Sequence, residues 1–248
     1  TPSPTPAPTI NPATVSDGIE ESRALIASHG ADPICLQHGD ADDDGTAEWV
    51  GLTLQPGDPP RLRGFVLDGD AWYDLRPPTE AEGGMGTYPT CRLSIEDLNR
   101  DGRTELMIEG RKPGNVDVLH IFVWQDDAYG MLASFQGDAG IHMDDIDGDL
   151  IPEILARYHA GSGLAWEAVH TWDGTHYGWT WERYTWLHAD LPHVLSSDQP
   201  RNAVISYYLA LDRRNLPGAY GLLSSGAQGG ETYETWAVGF STTLGVEV

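Results

Sequence analysis

Lysine is all but missing from this chain: Lys112 is the only one among 14 basic residues, which face 38 acidic ones for a formal charge of −24. A field of that sign repels nucleic acid and anionic membrane surfaces, so neither is expected as a direct partner. Cysteine is scarce as well. Cys35 and Cys91 are too few for a disulfide scaffold and have neither CxxC nor Cys/His zinc spacing. No stretch approaches the roughly 18 apolar residues of a membrane span, and there is no basic-then-apolar signal segment. Catalytic signatures are also lacking: there is no HExxH, no GxSxG (Gly161, Ser162 and Gly163 make only GSG) and no phosphate-binding glycine loop. The nine histidines are scattered, and His38, His120, His142, His159 and His170 fall on or near expected strands, where a packed or surface role is ordinary. A non-enzymatic protein is expected.

What the chain does have is an apolar content of 40%, with nine Trp, ten Tyr and four Phe, enough for a substantial core. It opens with TPSPTPAPTINPATV, residues 1–15, a Pro/Thr tract of the kind that forms an extended tether. The lack of an initiating Met suggests a removed leader or a start inside a longer chain. A spacer beside a lipid or membrane anchor is the preferred reading, which places the protein outside the cell, secreted or surface-anchored. Residues 16–30 predict a short helix, with Asp17 and Glu20 spaced as a capping box, apolar Ile19, Leu25 and Ile26, and Gly30 as terminator. From there to about residue 193 the chain runs in short alternating or aromatic-rich stretches such as WVGLTL, VLHIFVW and EAVHTW, separated by Gly, Pro and Asp, and these read as strands.

Self-alignment shows a repeat. GDADDDGTAEWV from Gly39, EDLNRDGRTELM from Glu96 and DDIDGDLIPEIL from Asp144 superimpose, with Asp40, Asp97 and Asp145 as first loop acids, offset by 57 and 48 residues. In every copy, 20 residues separate the closing Glu (Glu48, Glu105, Glu153) from a turn residue (Asp68, Gln125, Asp173), and an aromatic follows (Trp72, Tyr129, Tyr177). Each unit thus contains a strand before the loop, one after it, and a hairpin expected on a two-residue turn. That makes a four-stranded blade, in units of about 35–90, 91–139 and 140–193, and stacked blades bury faces that one alone would expose. Cys35 and Cys91 lie 56 residues apart, at nearly equivalent places in neighbouring repeats, and both a bridge between adjacent units and two buried thiols are open readings.

The loops fit D-x-[DN]-x-[DN]-x-x-x-E. Candidate side-chain ligands are Asp40, Asp42, Asp44 and Glu48, then Asp97, Asn99, Asp101 and Glu105, then Asp145, Asp147, Asp149 and Glu153. Carbonyls at the seventh position, Thr46, Arg103 and Ile151, would add further oxygens. Hard oxygens in this number suit Ca²⁺ at two to three sites better than Mg²⁺ with its strict octahedron. Gly45 and Gly102 permit a sharp turn at the sixth position. Leu150 stands there in the third loop, which departs furthest from the pattern, with Gly148 nearby to relieve the strain.

With Glu at the ninth position and strands on either side, these loops resemble the FG-GAP/VCBS repeats of integrin-type β-propellers, across about residues 35–190. The resemblance implies structural calcium and a mainly β fold of three propeller-like blades, fewer than a closed ring needs. Residues 194–248 predict helices, with a Ser/Asp cap, Pro200 in the first turn and apolar Ala203, Val204, Tyr207, Tyr208 and Leu211 at helical spacing. This segment resembles the opening helices of an NTF2-like domain.

A second candidate surface is the aromatic group Trp166, Trp172, Tyr177, Trp179, Trp181 and Trp186, with Tyr184 among them; such residues pack cores and blade contacts, stack on sugars or form a protein interface. The expected function is a calcium-stabilised extracellular adhesion, scaffold or binding module with a protein or glycan partner. The alternatives are a subunit of a surface assembly, including a homo-oligomer, and the carbohydrate-binding accessory part of a secreted enzyme.

Overall fold

The computed structural model describes residues 22–58, 60–77, 85–87, 91–161, 164–186 and 199–243. The tether, the capping-box residues Asp17 and Glu20, and the Ser/Asp cap before Pro200 lie outside the described residues. The fold is mainly β: three four-stranded antiparallel sheets and a few helices.

A short helix, α1 (22–28), ends at Gly30, which takes the left-handed backbone at φ 75°. The first sheet is a meander of β1 (Pro33–Gly39), β2 (Glu48–Gln55), β3 (Arg61–Asp68) and β4 (Ala71–Leu75). The second has β5 (Leu93–Glu96), β6 (Glu105–Lys112), β7 (Val116–Gln125) and β8 (Ala128–Gly137), in that order. The third has β9 (Gly140–Asp144), β10 (Glu153–Gly161), β11 (Leu164–Trp172) and β12 (Tyr177–Trp186). Helices α2 (Pro200–Asp212), α3 (Leu216–Leu222) and α4 (Tyr233–Val238) follow.

The chain divides into two compact units. One holds the described residues through Glu96 together with Arg103–Gly110 and Ile121–Met131; the other holds Asp97–Gly102, Arg111–His120 and the rest from Leu132. In the first unit, Val50, Leu52, Leu62, Val66 and Leu75 of the first sheet form one core with Leu106, Ile108 and Phe122. On another cluster of that unit, Ile26 of α1 meets Phe65 and Leu67, while His29 stacks on Trp72 at 4.7 Å. Gly51 has no side chain because its cross-strand partner Phe65 lies over it: a Cβ there would stand 2.2 Å from the ring. Cys35 and Cys91 are joined in a disulfide, with Cα atoms 5.0 Å apart, which resolves the two open readings in favour of a bridge.

In the second unit, β10, β11 and β12 lie in a register that places Tyr158 opposite Trp166 and Trp166 opposite Tyr184. One residue along, Arg157 stands opposite Glu167 and Glu167 opposite Arg183. Residues directly opposite share a sheet face and successive residues alternate, so one face carries an aromatic row and the other an ionic row. Glu167 is 5% exposed and forms ion pairs with Arg157 Nε at 2.8 Å and Arg183 Nε at 2.6 Å, one at each carboxylate oxygen.

Two expectations need correction. The hairpins at Asp68 and Gln125 turn on two residues, Gly69–Asp70 and Asp126–Asp127, but the third turns on four, from Asp173 to His176. The Asp173 carboxylate accepts the N–H groups of His176 and Thr175, both at 2.9 Å, and the Thr175 hydroxyl at 2.8 Å. These bonds, led by that from His176, hold its carboxyl down at about 2 and stabilise the longer turn. In α2 the N-cap is Gln199, with no side-chain cap bond. Its buried stripe includes Asn202, Ile205, Ser206 and Leu209, whereas Val204 and Tyr208 are exposed. The helix is gripped from two sides: Ile205 and Leu209 meet Leu164 of the sheet, and Ala210 and Leu211 meet Ala219 of α3.

Candidate metal centres

The three acidic loops are closed by the same strand pair. Gly39 pairs with Glu48, Glu96 with Glu105 and Asp144 with Glu153, so the residue before each first acid stands opposite the last. Between these pins the backbone turns left-handed twice, at the fourth and sixth positions. The pairs are Asp43 (φ 63°) and Gly45 (89°), Arg100 (57°) and Gly102 (86°), then Gly148 (83°) and Leu150 (72°). The third loop therefore keeps the shape of the others, with its glycine moved from the sixth position to the fourth.

Carboxylates and amides fold inward along the same path. The first acid accepts from the sixth N–H: Gly45 to Asp40 at 3.0 Å, Gly102 to Asp97 at 3.2 Å, Leu150 to Asp145 at 3.1 Å. The third accepts from the fifth: Asp44 to Asp42, Asp101 to Asn99, Asp149 to Asp147. The seventh N–H donates to the fifth acid, Thr46 to Asp44 at 2.7 Å and Ile151 to Asp149 at 2.8 Å. The bonds that reach two residues on are Asx turns, nested inside the longer bond to the first acid, and they order the loop from within.

Two loops bring three carboxylates together. Oxygens of Asp40, Asp42 and Glu48 lie within 4.8 Å of one another, as do oxygens of Asp145, Asp147 and Glu153, and either group could hold a metal ion. Both glutamates are buried, at 1% and 3% exposure. One oxygen of each closes its loop: Glu48 Oε2 accepts from Ala41 N–H at 2.6 Å, and Glu153 Oε2 from Ile146 N–H at 2.8 Å. In the first loop, Glu48 Oε1 and Asp40 Oδ1 are buried and, among the described residues, have no hydrogen-bond partner. An ionised oxygen shut away from both water and donors is costly unless a cation completes it. Burial drives the Glu48 carboxyl up to about 7, partly offset by the Ala41 bond and reinforced by the charges of Asp42, Asp68 and Asp40. Burial raises Asp42 also, against the bond from Asp44. The Tyr129 hydroxyl, buried without a partner among the described residues, is pushed up by burial and then by Asp42, Glu48 and Asp68.

In the second loop the turn bonds of Asp97 and Asn99 match those of the others; Asn99 is buried, and so is Glu105 at the start of β6. Arg103 occupies the seventh position. A contact that the loop pattern did not disclose involves Asp43, at the fourth position of the first loop. Its carboxylate accepts both the N–H of Thr104 at 2.9 Å and its hydroxyl at 2.6 Å, 61 residues away. An extra acid outside the ligand pattern was the sole hint, since only the fold brings Thr104 near.

The aromatic group is distributed. Trp166 and Tyr184 belong to the row described above. Tyr177 is buried and meets Phe135 edge-on, with Trp172 tilted against it at 5.2 Å. Trp179 and Trp181 on β12 are 60% and 40% exposed, and Arg183 lies over the Trp181 ring at 5.6 Å. The Trp186 side chain lies outside what is described. Among the described residues no helix is long and apolar enough to cross a membrane. In comparisons with known proteins, no family model and no curated protein sequence matches this chain.

Proposed function

We propose that this chain is a calcium-stabilised, non-enzymatic extracellular binding or adhesion module, whose three sheets are blades of the FG-GAP/VCBS kind. The observation that carries this reading is the pair of buried, partnerless oxygens, Asp40 Oδ1 and Glu48 Oε1, inside a three-carboxylate cluster. Calcium is the preferred ion because the donors are all oxygen. Calcium also accepts six to eight such oxygens in flexible geometry, whereas magnesium demands a near-ideal octahedron. The ion neutralises the converging acids and ties β1 to β2 and β9 to β10 at the pinned ends of the loops. The Cys35–Cys91 bridge supports an oxidising, extracellular setting. The three C-terminal helices are the opening elements of an NTF2-like module.

Thermal unfolding in calcium, magnesium and EDTA tests the proposal. An ion that binds only the folded state adds about 2.7 kcal/mol at a concentration one hundred times its Kd, so calcium must raise the melting temperature. Equal melting in calcium and EDTA overturns the reading, and an equal effect of magnesium removes its choice of ion. The exposed Trp179 and Trp181, two residues apart on edge strand β12, favour a second reading as a subunit of a surface assembly. A monomer in size-exclusion chromatography at micromolar concentration counts against that alternative.

A further inference from the structure

The aromatic row of the third sheet ends in a cavity of about 350 Å³, at the small end of ligand-site volumes, which run from about 300 to 1,000 Å³. Its floor is Trp166 and Tyr184, directly opposite each other on β11 and β12, with Glu182 two residues before Tyr184 and so on the same face. Its far wall is the first turn of α2, Arg201 and Asn202, and His159 of β10 completes it. The helix is fixed there because Ile205 and Leu209, one and two turns on, meet Leu164 of the same sheet.

The wall groups are held in place. Arg201 lies 5.2 Å over the Tyr184 ring and donates to its hydroxyl, and Trp166 is braced by Tyr158 at 4.9 Å on the neighbouring strand. With its guanidinium over Tyr184, the indole of Trp166 is left as the stacking surface. Arg201 provides donors only and Glu182, when ionised, acceptors only. The site therefore asks for a compact ring with one apolar face and hydroxyls around its edge that both donate and accept. An anion would meet Glu182 and the −24 charge of the chain. A cation would meet Arg201. A neutral ring meets neither penalty.

We propose that the cavity between α2 and β10–β12 binds a neutral sugar, one pyranose ring stacked on Trp166 with its hydroxyls bonded to Glu182 and Arg201. This gives the binding-module reading a ligand and rests on it, but it does not depend on calcium.

The test is saturation-transfer NMR with glucose, galactose, mannose and N-acetylglucosamine, and with glucuronate and glucosamine as charged counterparts, in calcium and in EDTA. At least one neutral sugar is expected to bind, more tightly than either charged one. Glu182→Gln and Arg201→Gln should each weaken it about tenfold or more, the loss of one hydrogen bond to a charged group, in proteins that still melt cooperatively. Trp166→Ala should abolish it. The proposal is overturned if no neutral sugar binds, if a charged sugar binds better, or if Glu182→Gln and Arg201→Gln leave binding unchanged. Because melting reads the calcium response separately, a sugar that binds a calcium-insensitive protein overturns only the metal reading.

Discussion

Glu48 closes the first loop by accepting the Ala41 N–H at 2.6 Å through Oε2, while its other oxygen, Oε1, is buried without a hydrogen-bond partner among the described residues. One carboxylate thus has two jobs. Oε2 shapes the loop, and Oε1 belongs to the three-carboxylate group that could hold a metal ion.

That division predicts a pH dependence. Without metal, the Glu48 carboxyl sits at about 7 in the fold against an ordinary 4.5, so the folded state holds its proton more tightly than the unfolded chain. Apo stability from this group must therefore fall as pH rises from about 4.5 to 7. Glu48→Gln keeps an acceptor for Ala41 and removes the titration. Urea unfolding in EDTA across that range should show the parent losing stability relative to Glu48→Gln. Burial lowers His170, which has the opposite effect, favouring stability above about 6.5 and losing it as pH falls, but that contribution is common to both proteins and cancels in the difference. In calcium, the variant should lose the share of the parent's stabilisation that the first loop supplies and keep that of the third.

Leu150 carries φ 72° where Gly45 and Gly102 carry 89° and 86°. A left-handed backbone costs a residue with a Cβ about 1 kcal/mol, and the Leu150 side chain, 59% exposed, recovers little by packing. Leu150→Gly should raise stability by about 0.5–1 kcal/mol, read from the urea midpoint, and Gly45→Ala should lower it by about 1 kcal/mol. A loss of stability in Leu150→Gly would show that the leucine has a packing role.

The Cys35–Cys91 bridge closes a separation of 56 residues. Replacing both by Ser should cost about 2–4 kcal/mol, chiefly by freeing the unfolded chain. Reductant should shift the urea midpoint of the parent by a similar amount and leave that of the double variant unmoved.

Glu167 is the shared partner of Arg157 and Arg183, and it is nearly buried. Glu167→Ala leaves the shielded Arg157 guanidinium without its carboxylate and should cost about 3 kcal/mol. Arg183→Ala, whose side chain is 38% exposed, should cost about 1 kcal/mol or less. Similar losses for the two variants would show that the ionic row is screened throughout.

The repeat was legible in the sequence because its parts are local. An Asx turn needs an acid and an amide two or three residues on, and a strand pair pinned at Gly39 and Glu48 needs only the loop between them. For that reason the three loops, their closing glutamates and the meander of each sheet could be read from spacing alone. The third hairpin keeps the 20-residue spacing yet departs from a two-residue turn, because Asp173 has enough donors nearby to close a turn of four.

Contacts between distant segments could not be read that way. Polarity marks Val204 and Ile205 of α2 alike, yet only Ile205 meets Leu164, because which side of a helix is buried depends on what lies beside it. Asp43 finds Thr104, Glu167 finds two arginines, and Trp166 faces Arg201 across a cavity for the same reason. The sequence by itself determined the turns, the acids and the strands, since their energies are settled within a few residues. Only the tertiary structure decided which carboxylate oxygens lose water without gaining a donor, because burial belongs to the whole fold rather than to any one segment.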